Sequence, residues 1–96
     1  MQLDNESARA GDEISGRSDR LGVIGVDLVR VERCPVALIE FPVATAVPAP
    51  DGSFTLTVPD DVPPSTLGRS CELAWRVRTR SAEEGAYDYA DLEVLA

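Results

Sequence analysis

Polar and apolar residues alternate along several short stretches of this chain, at the period of two that a pleated strand imposes. The clearest stretch is SFTLTV, residues 53–58, where Phe54, Leu56 and Val58 face one way and Ser53, Thr55 and Thr57 the other. That pattern predicts a half-buried antiparallel strand. CELAWRVRTR, residues 71–80, alternates in the same way: Cys71, Leu73, Trp75 and Val77 share one face, and Glu72, Ala74, Arg76, Arg78 and Arg80 share the other. GVIGVDLVRVER, residues 22–33, is rich in β-branched residues, with Ile24, Val26 and Leu28 on one face and Val29 and Val31 on the other. Either both faces of this strand are covered or a bulge shifts the alternation, and Gly25 is a natural place for an irregularity. VALIEFPVATAV, residues 36–47, is a further apolar run, and Pro42 in its middle restricts it to a sheet edge or to a strand with a break. AGDEISGR, residues 10–17, predicts a turn and a short strand, and AYDYADLEVL, residues 86–95, a last strand.

The punctuation between these runs is equally informative. PAPDG, residues 48–52, is turn chemistry throughout. VPDDVPPS, residues 58–65, holds Pro59, Pro63 and Pro64, which fix their own backbone and bias their predecessors to extended forms. It reads as a stiff crossing between two packed sheets, which stand about 10 Å apart. SAEEG, residues 81–85, predicts a hairpin loop. Pairing Thr79 with Ala86 then sets Trp75 opposite Ala90, Leu73 opposite Leu92 and Cys71 opposite Val94, with Arg78 beside Tyr87 and Arg76 beside Tyr89. Residues 1–9 carry no periodicity and are expected to form a flexible N-terminus. Residues 10–96 then make a single all-β domain, a two-sheet antiparallel β-sandwich. Its expected core anchors are Phe54, Leu56, Leu73, Trp75 and Val77, with Trp75 at the centre and an exposed, ligand-stacking Trp75 as the alternative.

Charge narrows the partners. The net charge is −8, and an acidic surface repels nucleic-acid backbones and anionic lipid, so neither is expected to bind. No apolar run approaches the roughly 20 residues of a membrane-spanning helix, and the polar, acidic MQLDNESARAGDE lacks the pattern of a signal peptide. The cytoplasm is the expected location, and there Cys34 and Cys71 are expected as small, buried, reduced residues. A disulfide between them, or a reactive thiol, is the alternative.

The order of FTLTVPDDVPPS, a short gap with glycine, and CELAWRVRTR resembles the second half of an arrestin-like domain. There an aromatic-led strand enters a proline-proline-serine crossing and then a strand with an aromatic and basic residues. AGDEISG resembles the glycine-bounded opening of that fold, and GVDLVRVER, with Val26, Leu28, Arg30 and Glu32, its long third strand. The resemblance spans roughly residues 10–95 and is greatest to compact bacterial members, including those similar to sporulation-control proteins. It implies an immunoglobulin-like sandwich that works as a non-catalytic, protein-binding adaptor or regulator. Receptor and phosphate recognition do not carry over, because the polar core and phosphate-sensing basic residues of visual arrestins have no counterpart here.

Chemistry is sparse. The chain has no histidine, so neither cysteine has an imidazole partner and the usual base near neutrality is missing. Asp60 and Asp61 read as a solvated pair. Asp88, Asp91 and Glu93 lack the dense oxygen spacing of a calcium loop. No enzyme activity, metal or cofactor is expected. The candidate partner-binding residues are Arg76, Arg78, Arg80, Tyr87 and Tyr89. The arginines form a basic stripe that either meets an acidic partner or stacks on the tyrosines and pairs with Asp91 and nearby glutamates. The strand containing Pro42 is a candidate free edge, for self-association or for gripping a peptide, although the proline also serves to block such contacts. A carbohydrate-binding module with exposed tyrosines, and a small structural subunit of a larger assembly, are the other classes considered.

Overall fold

A computed structural model describes residues 1–19, 22–68, 70–81 and 87–96, apart from the side chain of Tyr87. The described residues hold no helix and nine strands: β1 (Gln2–Leu3), β2 (Ser7–Arg9), β3 (Glu13–Arg17), β4 (Val23–Cys34), β5 (Ala37–Ala46), β6 (Ser53–Thr57), β7 (Thr66–Leu67), β8 (Glu72–Ser81) and β9 (Tyr87–Leu95). They form a two-sheet β-sandwich. The smaller sheet has the order β1-β3-β6 and the larger β2-β9-β8-β4-β5, with β7 added to β8.

The alternation read in the sequence positions the core. Ile14, Phe54, Leu56 and Val58 from the smaller sheet meet Ala8, Val26, Leu28, Trp75, Val77, Leu92 and Val94 from the larger, in one buried cluster. Phe54 is 5 % exposed and Trp75 1 %. The crossing from β6 to β8 joins these two layers. Its stiffness also serves the core directly, because the Trp75 indole N–H donates to the Pro63 carbonyl oxygen at 3.1 Å. A buried indole needs such an acceptor, and the prolines hold it in place. Ser65 then ties the crossing to β9: its N–H donates to the Val94 carbonyl at 2.8 Å, and its hydroxyl accepts from the Val94 N–H at 3.0 Å. The PAPDG turn closes with the Gly52 N–H donating to the Ala49 carbonyl and with Gly52 at φ 88°, in the left-handed region that favours glycine.

Several expectations are corrected. The first residues are not a free terminus: β1 pairs with β3, and β2 runs parallel to β9, with Ala8 in the core. Met1, Leu3 and Ala8 pack toward the core there, on stretches too short to show a period. Thr79 pairs with Asp88, not Ala86, so Trp75 faces Leu92 and Val77 faces Ala90. This slip of two keeps every residue on its expected face, and alternation therefore cannot detect it. The SAEEG loop falls largely in residues 82–86, outside the described residues. Leu73 is only half-buried and lies outside the core cluster, because its neighbours are Glu32 and Thr66 rather than Leu92. Ile24 is 55 % exposed, since the β4–β8 register shifts between Val23 and Gly25.

The cysteines are corrected too. Cys34 and Cys71 form a disulfide that ties the end of β4 to the approach of β8, and Cys71 is exposed. Opening the bridge, by reductant or by the double change Cys34→Ser with Cys71→Ser, is expected to remove about 2–4 kcal/mol of stability, read from urea unfolding. Trp75→Phe keeps an aromatic ring but strands the Pro63 carbonyl and leaves a small void. It should cost about 1–3 kcal/mol in the same measurement; an unchanged unfolding midpoint would show that the indole bond does not hold the crossing.

Candidate interaction surface

The outer face of the larger sheet is built around a buried carboxylate that the sequence pattern did not single out. Asp27 sits on β4 between Val26 and Leu28, whose side chains point inward, so its own points outward. It is nonetheless 2 % exposed. Arg78, opposite Asp27 on β8, donates to Asp27 Oδ2 from Nη2 at 2.8 Å and from Nε at 3.3 Å. Arg80 Nε donates to the same oxygen at 2.8 Å. Thr45, opposite Asp27 on β5, donates to Oδ1 at 2.8 Å and accepts from Arg80 Nη2 at 3.2 Å. Arg80 reaches Asp27 by lying across Gly25, its partner in the ladder, where a Cβ would collide with the guanidinium. Glycine in β4 thus leaves the space that the arginine occupies.

One step further along the face, Arg76 on β8 donates to Glu40 Oε1 on β5 at 3.2 Å. Between them runs β4, with Val29 opposite Arg76 and Val31 opposite Glu40. Both valines are 0 % exposed although they belong to the outer face. The ion pair spans the central strand and roofs them, with the apolar stems of Arg76 and Glu40 supplying the cover. Arg76 also pairs with Asp91 at 3.3 Å and lies over the Tyr89 ring at 5.5 Å from its centroid.

The expected basic stripe is therefore real as geometry and neutralised as charge. Arg76, Arg78 and Arg80 share a face with Asp27, Glu40 and Asp91: Arg78 and Arg80 share Asp27, and Arg76 pairs with both Glu40 and Asp91. Tyr89 is stacked under Arg76, and Tyr87 stands opposite Arg80 in the ladder, its side chain outside the described residues. Burial pushes the Asp27 carboxyl up, but hydrogen bonds from Arg78, Thr45 and Arg80 outweigh it and hold the group below its ordinary range. Asp27 is thus a charged acceptor already engaged by donors, suited to holding strands together rather than to moving protons. Beside it lies a depression of ≈ 450 Å³, walled by Pro42, Val43 and Ala44 on one side and by Arg78 and Arg80 on the other.

The apolar surface lies elsewhere, on β5. Among the described residues this strand ends the larger sheet, with no ladder partner on its outer side. Leu38 is 57 % exposed, Ile39 49 % and Phe41 39 %. The core cluster takes Ala44 and Ala46 from β5 but neither Ile39 nor Phe41. The β4–β5 hairpin therefore projects past the smaller sheet, with Val36 at its tip. On the inner side of that projection the Arg30 guanidinium stacks on Phe41 at 5.7 Å and pairs with Glu32 at 2.9 Å. Pro42 sits where the β4–β5 register shifts between Leu28 and Val29, a bulge that accommodates its missing N–H. The edge position of the Pro42 strand was readable in the sequence. Asp27 was missed, and its signal was a lone acid inside a β-branched run, out of phase with its apolar neighbours.

No protein-family model matches this chain, and no curated protein matches it either.

Asp27→Asn preserves shape but removes the charge that two guanidinium groups share. It should cost about 2–3 kcal/mol at neutral pH. The folded carboxyl titrates below its ordinary 3.8, so its stabilisation is whole above about pH 4 and is lost as pH falls through the lowered value. The gap between the parent chain and Asp27→Asn in urea unfolding should therefore narrow below about pH 4; a gap independent of pH would remove the charge from the explanation.

Proposed function

We propose that this chain is a non-catalytic protein-interaction module, an arrestin-like sandwich of the adaptor or regulatory kind, which makes its contact through the free edge of β5. The observation that carries this is the exposure of Leu38, Ile39 and Phe41 on a ten-residue edge strand. The opposite edge of the same sheet is made by the three-residue β2 and by the part of β9 that β2 does not pair with, and short edges are a common protection against unwanted pairing. An edge that is long and apolar suits strand addition, where backbone hydrogen bonds give affinity and alternate side chains give selectivity. The arginines support the sheet instead of meeting an acidic partner. A sugar-binding face has less support, because Arg76 occupies one face of the Tyr89 ring, although the residue is 40 % exposed. The Cys34–Cys71 bridge favours a setting that keeps disulfides oxidised over the cytoplasm.

A library of extended decapeptides, displayed and selected against the oxidised chain, tests the reading. Selected peptides should protect the amides of β5 from hydrogen exchange. Ile39→Lys should weaken their binding by roughly tenfold or more, the size of a lost central apolar contact, while leaving the near-ultraviolet signal of Trp75 unchanged. Peptides that protect another surface, or a library that yields none, would overturn it.

A further inference from the structure

We propose that the Ala37–Phe41 half of β5 pairs antiparallel with the same segment of a second copy, about a twofold axis at Ile39. The inference rests on the reading of β5 as the contact edge and names its occupant.

The two halves of β5 differ as templates. From Ala37 to Pro42 the ladder with β4 is unbroken, Cys34 facing Ala37 and Val29 facing Pro42. The next pair is Leu28 with Ala44, so Val43 is skipped and the strand is bulged beside a residue with no N–H. A bulge and a proline spoil an edge for pairing. They lie in the half that runs toward Ala46 and leave Ala37–Phe41 regular. Leu38, Ile39 and Phe41, the most exposed large apolar residues of β5, fall in this same regular half, while Val43, 36 % exposed, lies in the other.

Those side chains are split between the faces. Ile39 and Phe41 point the same way as their partners Glu32 and Arg30, and Leu38 points the opposite way with Arg33. An occupant must therefore offer apolar groups on both sides of its own strand, as another Ala37–Phe41 does. Antiparallel pairing centred on Ile39 sets Ile39 against Ile39, Phe41 against Ala37 and Leu38 against Glu40. Large meets small, and no two carboxylates meet. Centring on Glu40 instead would place the two Glu40 side chains opposite each other, which is unfavourable. The strand's own pattern thus selects one register, with the self-complementarity that a twofold contact requires.

Charge also favours a copy over a charged stranger. Glu40 is the one charged residue of β5, and Arg76 already pairs with it, so the edge offers a charged partner nothing to steer by. Each chain carries −8, and the repulsion between copies arises away from the edge, at distances that salt screens. Association should strengthen as salt is added. The contact is short and belongs to the weak, transient class.

Sedimentation equilibrium of the oxidised chain, from micromolar to millimolar and at low and high salt, is the test. A monomer–dimer equilibrium is expected, shifted at least several-fold toward dimer by salt. Ile39→Lys, which sets two ammonium groups at the axis, should leave a monomer throughout with the Trp75 signal intact. A short bis-maleimide should join Ile39→Cys chains into covalent dimers and leave Thr45→Cys chains single. A parent chain that is monomeric at every concentration, a dimer that survives Ile39→Lys, or cross-linking at position 45 in place of 39 would overturn the proposal. If the chain stays monomeric while selected peptides still protect β5, the second-copy inference fails and the interaction reading stands. If neither copy nor peptide occupies β5, both fail.

Discussion

A chain of this size can lay a second β layer over only one face of its larger sheet, and over only part of that face. Every other feature answers to this constraint. The central strand β4 carries apolar residues on both sides, so its outer valines need cover that no third layer supplies. Side chains supply it: Arg76 and Glu40 reach toward each other across β4 and close over Val29 and Val31. Beside them Arg78, Arg80 and Thr45 converge on Asp27 and join three strands through one carboxylate. Such an ion pair on an open surface is worth little alone. Here several share one face, and their stems exclude water from apolar groups that would otherwise be wet.

The inner face shows the same economy of material. Trp75 is the largest fully buried side chain, and its N–H must find an acceptor in a layer made of strands whose own carbonyls are engaged. The proline crossing provides one at Pro63. The connection between the two sheets is thus also part of the core. Where the smaller sheet stops, the inner face of the hairpin continues with Arg30, Glu32, Ile39 and Phe41, which meet one another and solvent.

Much of this was readable in the amino-acid order, because a period of two assigns faces directly. Phe54, Leu56, Trp75 and Val77 announce a shared interior, and the prolines after Val58 announce the crossing. What could not be read is whatever leaves the faces unchanged. Moving β9 by two residues against β8 alters each neighbour and leaves each side chain on its face, so Arg76 meets Asp91 across the ladder where Tyr89 was expected. Asp27 was hidden for a related reason: its phase marks it as outward, but its burial depends on arginines from β8, fifty or so positions later in the chain. The pairing of Cys34 with Cys71 likewise depends on bringing the ends of β4 and β8 together, which no local pattern encodes. β1 and β2 are too short to carry a period at all.

The position of the disulfide has a mechanical consequence. Tension applied to anything grafted along β5 is borne first by the β4–β5 ladder, a row of hydrogen bonds that can shear or unzip. At the outer end of that ladder, Cys34 is bonded to Cys71 at the foot of β8. Load arriving at the hairpin tip is therefore passed by a covalent link into the strand that holds Trp75, so the projecting end of the sandwich is anchored to its interior and resists being peeled away.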